Sequence, residues 1–328
     1  MNQPIYIRSV AAISPRQSEP RQGEPRQSEP RHGEPWQGEP WQGEPGQGEP
    51  DYRTLLDPKL LRRMSRIIRM GAAAALTCLR EAGIAMPDAI VTGTAYGCLE
   101  DTGLFLKSMI ERNEAVLQPA AFIQSTHNTV GAQIALLLGC TGYNNTFVHR
   151  GFSFESALLD AALLLADREA ETVLLGGVDE ITETSRELLA RFGLYRRQVA
   201  GEGAAFFLLT GQPSSGDFAR LDGMDTFHNP KGTDATEQRL MSFLSSKGLA
   251  PGDIDLIISG DTGEISASLF PGTPNLNYKE LSGEYPTSTS FALWLAARRV
   301  RSGARRVLVY NHYLGIYHSV YLLSNADK

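Results

Sequence analysis

Short apolar runs that close on glycine or turn residues, separated by stretches of helical periodicity, limit what this chain can fold into. AIVTGTAYG (residues 89–97), TVLLGGVDE (172–180), GEGAAFFLLTGQ (201–212), DIDLIISGDTG (253–263) and RRVLVYNHYLG (305–315) place apolar residues consecutively. Strands do this when both of their faces are covered. Between the runs, apolar residues fall at helical spacing from Leu60 to Leu79 and stop at Gly83. Residues 101–113 read as a helix capped by Asp101 or Thr102, and 152–170 and 288–303 as largely apolar helices. The alternation predicts an α/β protein. Its briefer recurrence after Gly211–Gly216 predicts an internally duplicated core.

One segment stands outside this pattern. Residues 16–50 are seven tandem pentads ending in Glu-Pro, with only Trp36 and Trp41 as large apolar side chains. A proline every fifth residue blocks helix and sheet pairing, and the period is too short for a repeat that buries a core. The expected organisation is therefore a first core strand in 1–15, a disordered insertion over 16–50, and two α/β halves over 51–212 and 213–328.

A net charge of -6 without a basic run argues against a nucleic-acid partner or an anionic membrane surface. No apolar run reaches the roughly 18–20 residues of a membrane span. Cys78, Cys98 and Cys140 share no C-x-x-C spacing and suit a reducing cytoplasm. His127 and His228 have no ligating neighbour at metal-binding spacing, so no metal is expected. GTAYG and GEGA lack the context of a dinucleotide fingerprint, and no cofactor is expected.

Four segments, taken in order and spacing, make the chain resemble the β-ketoacyl-acyl-carrier-protein synthases of the elongating type. RRMSRIIRMGAAAAL (62–76) resembles the family's R-R-M-D-R helix, and ALLDAALLLADREAETVLLGGVDE (157–180) its helix and glycine-ended strand. GEGAAFFLL (201–209) is similar to the G-E-G-A strand, and NYKELSGEYPTSTSFALWLA (277–296) to the T-K-S-x-x-G-H segment. The resemblance implies a five-layer αβαβα thiolase-like fold of two duplicated halves, usually dimeric with sheets continuing across the interface.

The family's chemistry requires a thiolate at a helix N-terminus, where backbone N–H groups lower its pKa and cradle an oxyanion, and two histidines that hold a thioester carbonyl. The cysteine of T-A-C-x-S falls on Gly151 in VHRGFSFESALL. The first histidine falls on Gly260, followed by Asp261 and Thr262, and the second on Glu284, with Lys279 retained. The final glycine-rich turn is changed to HYLGIYHS. Glycine offers no nucleophile, and a carboxylate repels an enolate, so the usual condensation is not expected. GFSFE lacks the second glycine of a nucleophile elbow, and Ser153 reads as the start of a helix. A His149, Ser153 and Glu284 base–nucleophile set is the weaker alternative. Asp179 and Glu180 read as makers of local hydrogen bonds, Glu202 as structural by resemblance, and His312 and His318 as surface or interface residues.

Among family members, chain length factors of type II polyketide and aryl-polyene systems keep the fold without the cysteine and pair with an intact synthase. The resemblance implies such a subunit, working beside an active ketosynthase and an acyl carrier protein in polyketide, aryl-polyene or fatty-acid-type synthesis. Phe105, Met109 and Phe122 are then candidates for the floor of an acyl tunnel, and Phe147 and His149 for the dimer interface. The alternatives are an enzyme with different acyl-thioester chemistry, a hydrolase or acyltransferase, and a homodimeric scaffold.

Overall fold

The computed structural model describes residues 4–14, 49–115, 117, 119–194, 199–228, 230–260 and 264–326. The pentads up to residue 48, with Trp36 and Trp41, lie outside the described residues, as do Asp261 and Thr262. In chain order the first half holds β1 (Ile5–Ile13), α1 (Pro58–Leu61), α2 (Arg66–Ala82), β2 (Ala89–Gly93), α3 (Leu99–Glu111), α4 (Pro119–Gln124), α5 (Thr129–Leu138), β3 (Tyr143–Phe147), α6 (Ser153–Ala166), β4 (Thr172–Asp179), α7 (Glu183–Arg191) and β5 (Gly203–Thr210). The second half holds β6 (Ala219–His228), α8 (Thr233–Ser246), β7 (Leu256–Ser259), α9 (Glu264–Leu269), β8 (Asn275–Asn277), α10 (Lys279–Ser282), α11 (Thr289–Arg301), β9 (Arg306–Tyr313) and β10 (Tyr317–Ser324).

The strands order as β3-β2-β4-β5-β1-β6-β10-β9-β7-β8. Read outward from the centre, the two halves repeat one arrangement. β2–β3 and β2–β4 are parallel, as are β7–β8 and β7–β9, while β4–β5 and β9–β10 are antiparallel. β1 pairs with β5 along most of its length but joins β6 only through Ile5–Ile7, and its register with β5 shifts between Ile7 and Ser9.

Three apolar clusters define the layers. Ile67, Ile68, Met70 and Cys78 of α2 and Ile134 of α5 pack on one face of the first-half strands through Leu174, Phe206 and Leu208. The opposite face, through Leu175, Phe207 and Leu209, meets α6 and α11, whose other side meets Val307, Val309 and Tyr321 of the second half. Leu308, Tyr310 and Leu322 then face Leu240, Phe243 and Leu244 of α8. Neighbouring strand residues thus serve two different layers. The order is α-β-α-β-α, as the resemblance implies.

Glycines let the middle layer close. A Cβ on Gly93 would lie 2.5 Å from the Ser153 carbonyl oxygen, and one on Gly177 would lie 2.7 Å from Ser290 Cβ and 2.8 Å from the Phe154 ring. The N-termini of α6 and α11 therefore sit directly over the ends of β2 and β4. One expected helix start is corrected. α3 begins at Leu99 with Cys98 at its cap position, and Asp101 lies in its first turn. Among the described residues no helix is long and apolar enough to cross a membrane.

Candidate functional site

After β3 the chain makes a tight turn at Arg150–Phe152, with Arg150 at φ 51°, before α6 begins at Ser153. The buried Ser153 hydroxyl accepts from the His149 backbone N–H at 2.9 Å and donates to the Arg150 carbonyl at 2.8 Å. It is consumed in holding the turn. Gly151 is buried, and a Cβ there would fall 2.7 Å from Tyr313 Cδ1 and 2.8 Å from Tyr317 Cγ. Two aromatic rings, from the end of β9 and the start of β10, thus occupy the space a side chain at position 151 needs. Tyr96 meets Tyr313 hydroxyl to hydroxyl at 3.4 Å, and Phe152 stands edge-on to Tyr317 at 5.0 Å.

The second position is closed by polar groups. A Cβ on Gly260 would lie 2.6 Å from Lys279 Cε, 2.7 Å from Asn311 Oδ1 and 2.9 Å from Tyr278 Cε1. Lys279 Nζ donates to Glu284 Oε2 and to the His312 carbonyl, both at 2.6 Å, and Lys279 and Glu284 are each about 95 % or more buried. Tyr278 donates to Asn311 Oδ1 at 2.6 Å. Burial raises the Glu284 carboxyl above the usual range, and the Lys279 ammonium opposes that rise. A buried pair of this kind holds itself together by mutual compensation. The structure therefore brings Gly260 and Glu284 together through Lys279, whose second acceptor, His312, adjoins the Tyr313 that covers Gly151.

The proposed base–nucleophile set is not assembled. The His149 ring bonds Ser156 Oγ through Nδ1 at 3.0 Å, Ser153 bonds backbone, and Glu284 bonds Lys279. The surface reading of His318 is also overturned. His318 is 4 % exposed, shares a 2.9 Å hydrogen bond with the Tyr310 hydroxyl, and stacks on Phe227 at 4.9 Å. His312 is half-buried, and burial followed by the Lys279 charge pushes its pKa down to about 4. It is neutral at pH 7 and serves as a carbonyl acceptor for lysine.

Asp179 reaches far beyond its neighbours in sequence. It accepts from Thr94 Oγ1 at 2.9 Å and Ala95 N at 2.8 Å on one side of the site, and from Thr287 Oγ1 at 2.8 Å on the other. Glu180 accepts from Glu100 N at 3.0 Å, and burial pushes its carboxyl up to about 7. Glu202 is clamped by Arg66 of the R-R-M-S-R helix and accepts from Ile181 N at 3.1 Å. The three cysteines are free thiols, with Cys78 and Cys98 buried.

Phe105 and Phe122 meet at 5.5 Å between ring centroids, where α3 crosses α4. Phe105 and Met109 are half-buried and Phe122 is 57 % exposed, so in the single chain they line an open face. Phe147 packs partly against the central core at the edge of the sheet, and His149 beyond it is exposed. Sequence reasoning missed how the exposed apolar residues are distributed. Leu136, Tyr143, Val148, Leu159 and Leu163 flank the β3 edge, and Leu104, Leu106, Ile110 and Ile123 extend the apolar surface over α3 and α4. It also missed Tyr313 and Tyr317, because nothing local marks a tyrosine that fills a distant glycine's space.

Residues 34–187 match the family described as "Beta-ketoacyl synthase, N-terminal domain". This chain has the ketosynthase fold. It superposes over 99 % of its length on 99 % of a chain from the ishigamide ketosynthase/chain length factor, with a TM-score of 0.76 and 16 % identity. A chain from a type II polyketide synthase acyl-carrier protein in complex with its hexaketide-bound ketosynthase gives a TM-score of 0.74 at 14 % identity, covering 99 % of this chain and 100 % of that one. A chain from a ketosynthase in complex with its chain length factor, from Xenorhabdus doucetiae, gives 0.67 at 16 % identity, covering 99 % and 98 %. At such identities the likeness is one of fold. No curated protein sequence matches the chain. On the ketosynthase fold, the crowded region around Gly151, Gly260 and Glu284 lies in sequence where the resemblance places the cysteine and two histidines.

Proposed function

We propose that this chain is a ketosynthase-like subunit that performs no condensation itself and pairs, in the manner of a chain length factor, with an active β-ketoacyl synthase served by an acyl carrier protein. The observation that carries the reading is the occupied centre: a side chain at Gly151 meets Tyr313 and Tyr317, one at Gly260 meets Lys279, and Glu284 is bound to that lysine. The solved structures of similar fold that are described as synthase and chain-length-factor assemblies support the pairing.

The surface supports the same reading. Every large apolar side chain that is clearly exposed among the described residues lies before residue 200, except Met241 and Leu314. An edge strand with exposed apolar flanks is a template for another chain. On this reading Phe147 and His149 sit at the subunit interface, and Phe105, Met109 and Phe122 close the end of the partner's acyl tunnel. Residues 51–212 and 213–328 are the two ketosynthase-like halves, 16–50 an insertion, and the reducing cytoplasm the compartment.

Co-expression with a complete ketosynthase and its carrier protein tests the proposal. A stable heterodimer is expected, with a product length that changes in Phe105→Ala and with acyl-enzyme formed on the synthase alone. Acylation of this chain by itself, abolished by Ser153→Ala, would overturn it in favour of a different acyl-thioester enzyme.

A further inference from the structure

At the end of the second half away from the crowded centre, a recess of about 260 Å³ is lined by Arg220 of β6, Arg305 and Arg306 at the start of β9, and Ser324 and Asn325 at the end of β10. Among the described residues no carboxylate lines it. β9 runs from Arg306 to Tyr313, so at about 3.3 Å per residue the recess lies roughly 23 Å from the tyrosine that covers Gly151. The strand register explains why these side chains meet. Ser324 stands opposite Arg220 on one side and opposite Arg306 on the other. Ser324 lies two residues from Leu322 and Arg306 two from Leu308, so the row points to the face that α8 covers further along the sheet. With neighbouring strands about 4.8 Å apart, the two arginines start about 10 Å from each other, across a serine too small to fill the gap.

Neighbouring acids answer only part of this charge. Asp222 accepts from Arg220 Nε at 2.6 Å. Asp255 accepts from Arg305 Nη2 at 3.4 Å, and its other oxygen is taken by the backbone N–H groups of Arg305 and Arg306 at 2.8 and 2.9 Å. Neither aspartate lines the recess. The half-buried Arg306 guanidinium has no hydrogen bond or ion pair with any described residue. Three guanidinium groups around one recess repel a metal cation and favour an anion. A phosphoryl group, with oxygens in several directions, can engage more than one guanidinium fork, whereas a planar carboxylate fits one.

We propose that this recess binds a small molecule bearing a diphosphate, one phosphoryl group between Arg220 and Arg306 and the other against Arg305. The site does not depend on pairing with a synthase. Titration calorimetry on the full chain tests it at low ionic strength and without magnesium, with sodium pyrophosphate as the probe and citrate as a carboxylate anion of similar charge. Pyrophosphate is expected to bind one to one and about tenfold more tightly than citrate, a difference of about 1.4 kcal/mol. Arg306→Gln, which breaks none of the ion pairs, is expected to weaken pyrophosphate about tenfold. Ser324→Val, which fills the gap between the arginines and removes no charge, is expected to weaken it as much. Arg191→Gln, at an exposed arginine of α7, is expected to change nothing. Absence of saturable binding at millimolar pyrophosphate would overturn the site. Equal binding of the two anions to the unaltered chain would do so as well, since it indicates an adventitious ion on a basic surface only, and that comparison needs no variant to fold.

Discussion

The two halves of the molecule share strand order, strand direction and helix placement, yet they differ at both ends of the sheet. β3, at one edge, has five residues and is bordered by exposed Leu136, Leu159 and Leu163. β8, at the other edge, has three residues with asparagine at both ends. A short polar edge discourages further pairing, and a longer edge with apolar flanks invites it. The strand ends also differ. β4 finishes on Asp179, a buried acceptor that ties three segments together, whereas β9 finishes on Tyr313, a ring that fills the space at Gly151. Duplication accounts for the scaffold, and divergence at edges and strand ends accounts for what each half does.

The largest effect is expected inside the second half. Lys279→Met leaves Glu284 buried without its partner and should cost about 3–5 kcal/mol in urea unfolding. Adding Glu284→Leu should restore most of it, because two apolar groups need no compensation. Failure of the double variant to recover would show that Lys279 holds this half through the His312 carbonyl instead.

Next comes the asymmetry of the surface. Val148→Glu combined with Leu163→Glu should weaken association with a ketosynthase by at least about a hundredfold while the monomer stays folded, because burying an unpaired charge at an interface centre is expensive. Met241→Glu, in the second half, should leave association unchanged in analytical ultracentrifugation. Equal losses in both would break the comparison between the halves.

A smaller, pH-dependent effect belongs to the first half. The Glu180 carboxyl is raised to about 7, by burial first and by Glu100, Asp101 and Glu202 nearby. The native state therefore keeps a proton that the unfolded chain loses above about 4.5. Stability from this group is fully present below that pH and lost as pH rises through about 7. The loss should be on the order of 3 kcal/mol, and Glu180→Gln should flatten the profile between those limits. The smallest change in stability is expected for Phe105→Ala, about 1 kcal/mol or less for a half-exposed ring, so an altered product length in the proposed heterodimer would report on the proposed tunnel rather than on folding.

Much of the scaffold was legible because it is written in local pattern. The consecutive apolar residues of 172–180 and 201–209 marked strands covered on both faces, and α2 ends at Gly83, in the left-handed conformation at φ 68°. The start of α3 was misread because Asp101 has the chemistry of a cap, while Gly97 and Cys98 turn the chain earlier to bring Glu100 N onto Glu180. Asp179 looked local because its partners, Thr94, Ala95 and Thr287, are distant in sequence and adjacent only when β2 and the segment before α11 converge.

The sequence by itself determined the α/β alternation, the duplication and the absence of a thiol or imidazole side chain at Gly151, Gly260 and Glu284, since side-chain chemistry and periodicity are properties of the chain. Only the tertiary structure decided what replaced that chemistry. Tyr313 and Tyr317 reach Gly151 from the opposite half, Lys279 is drawn to Glu284 because neither charge is tolerable alone in that interior, and nearly all of the exposed large apolar side chains among the described residues fall in the first half. These are consequences of close packing, which brings together residues that no local pattern links.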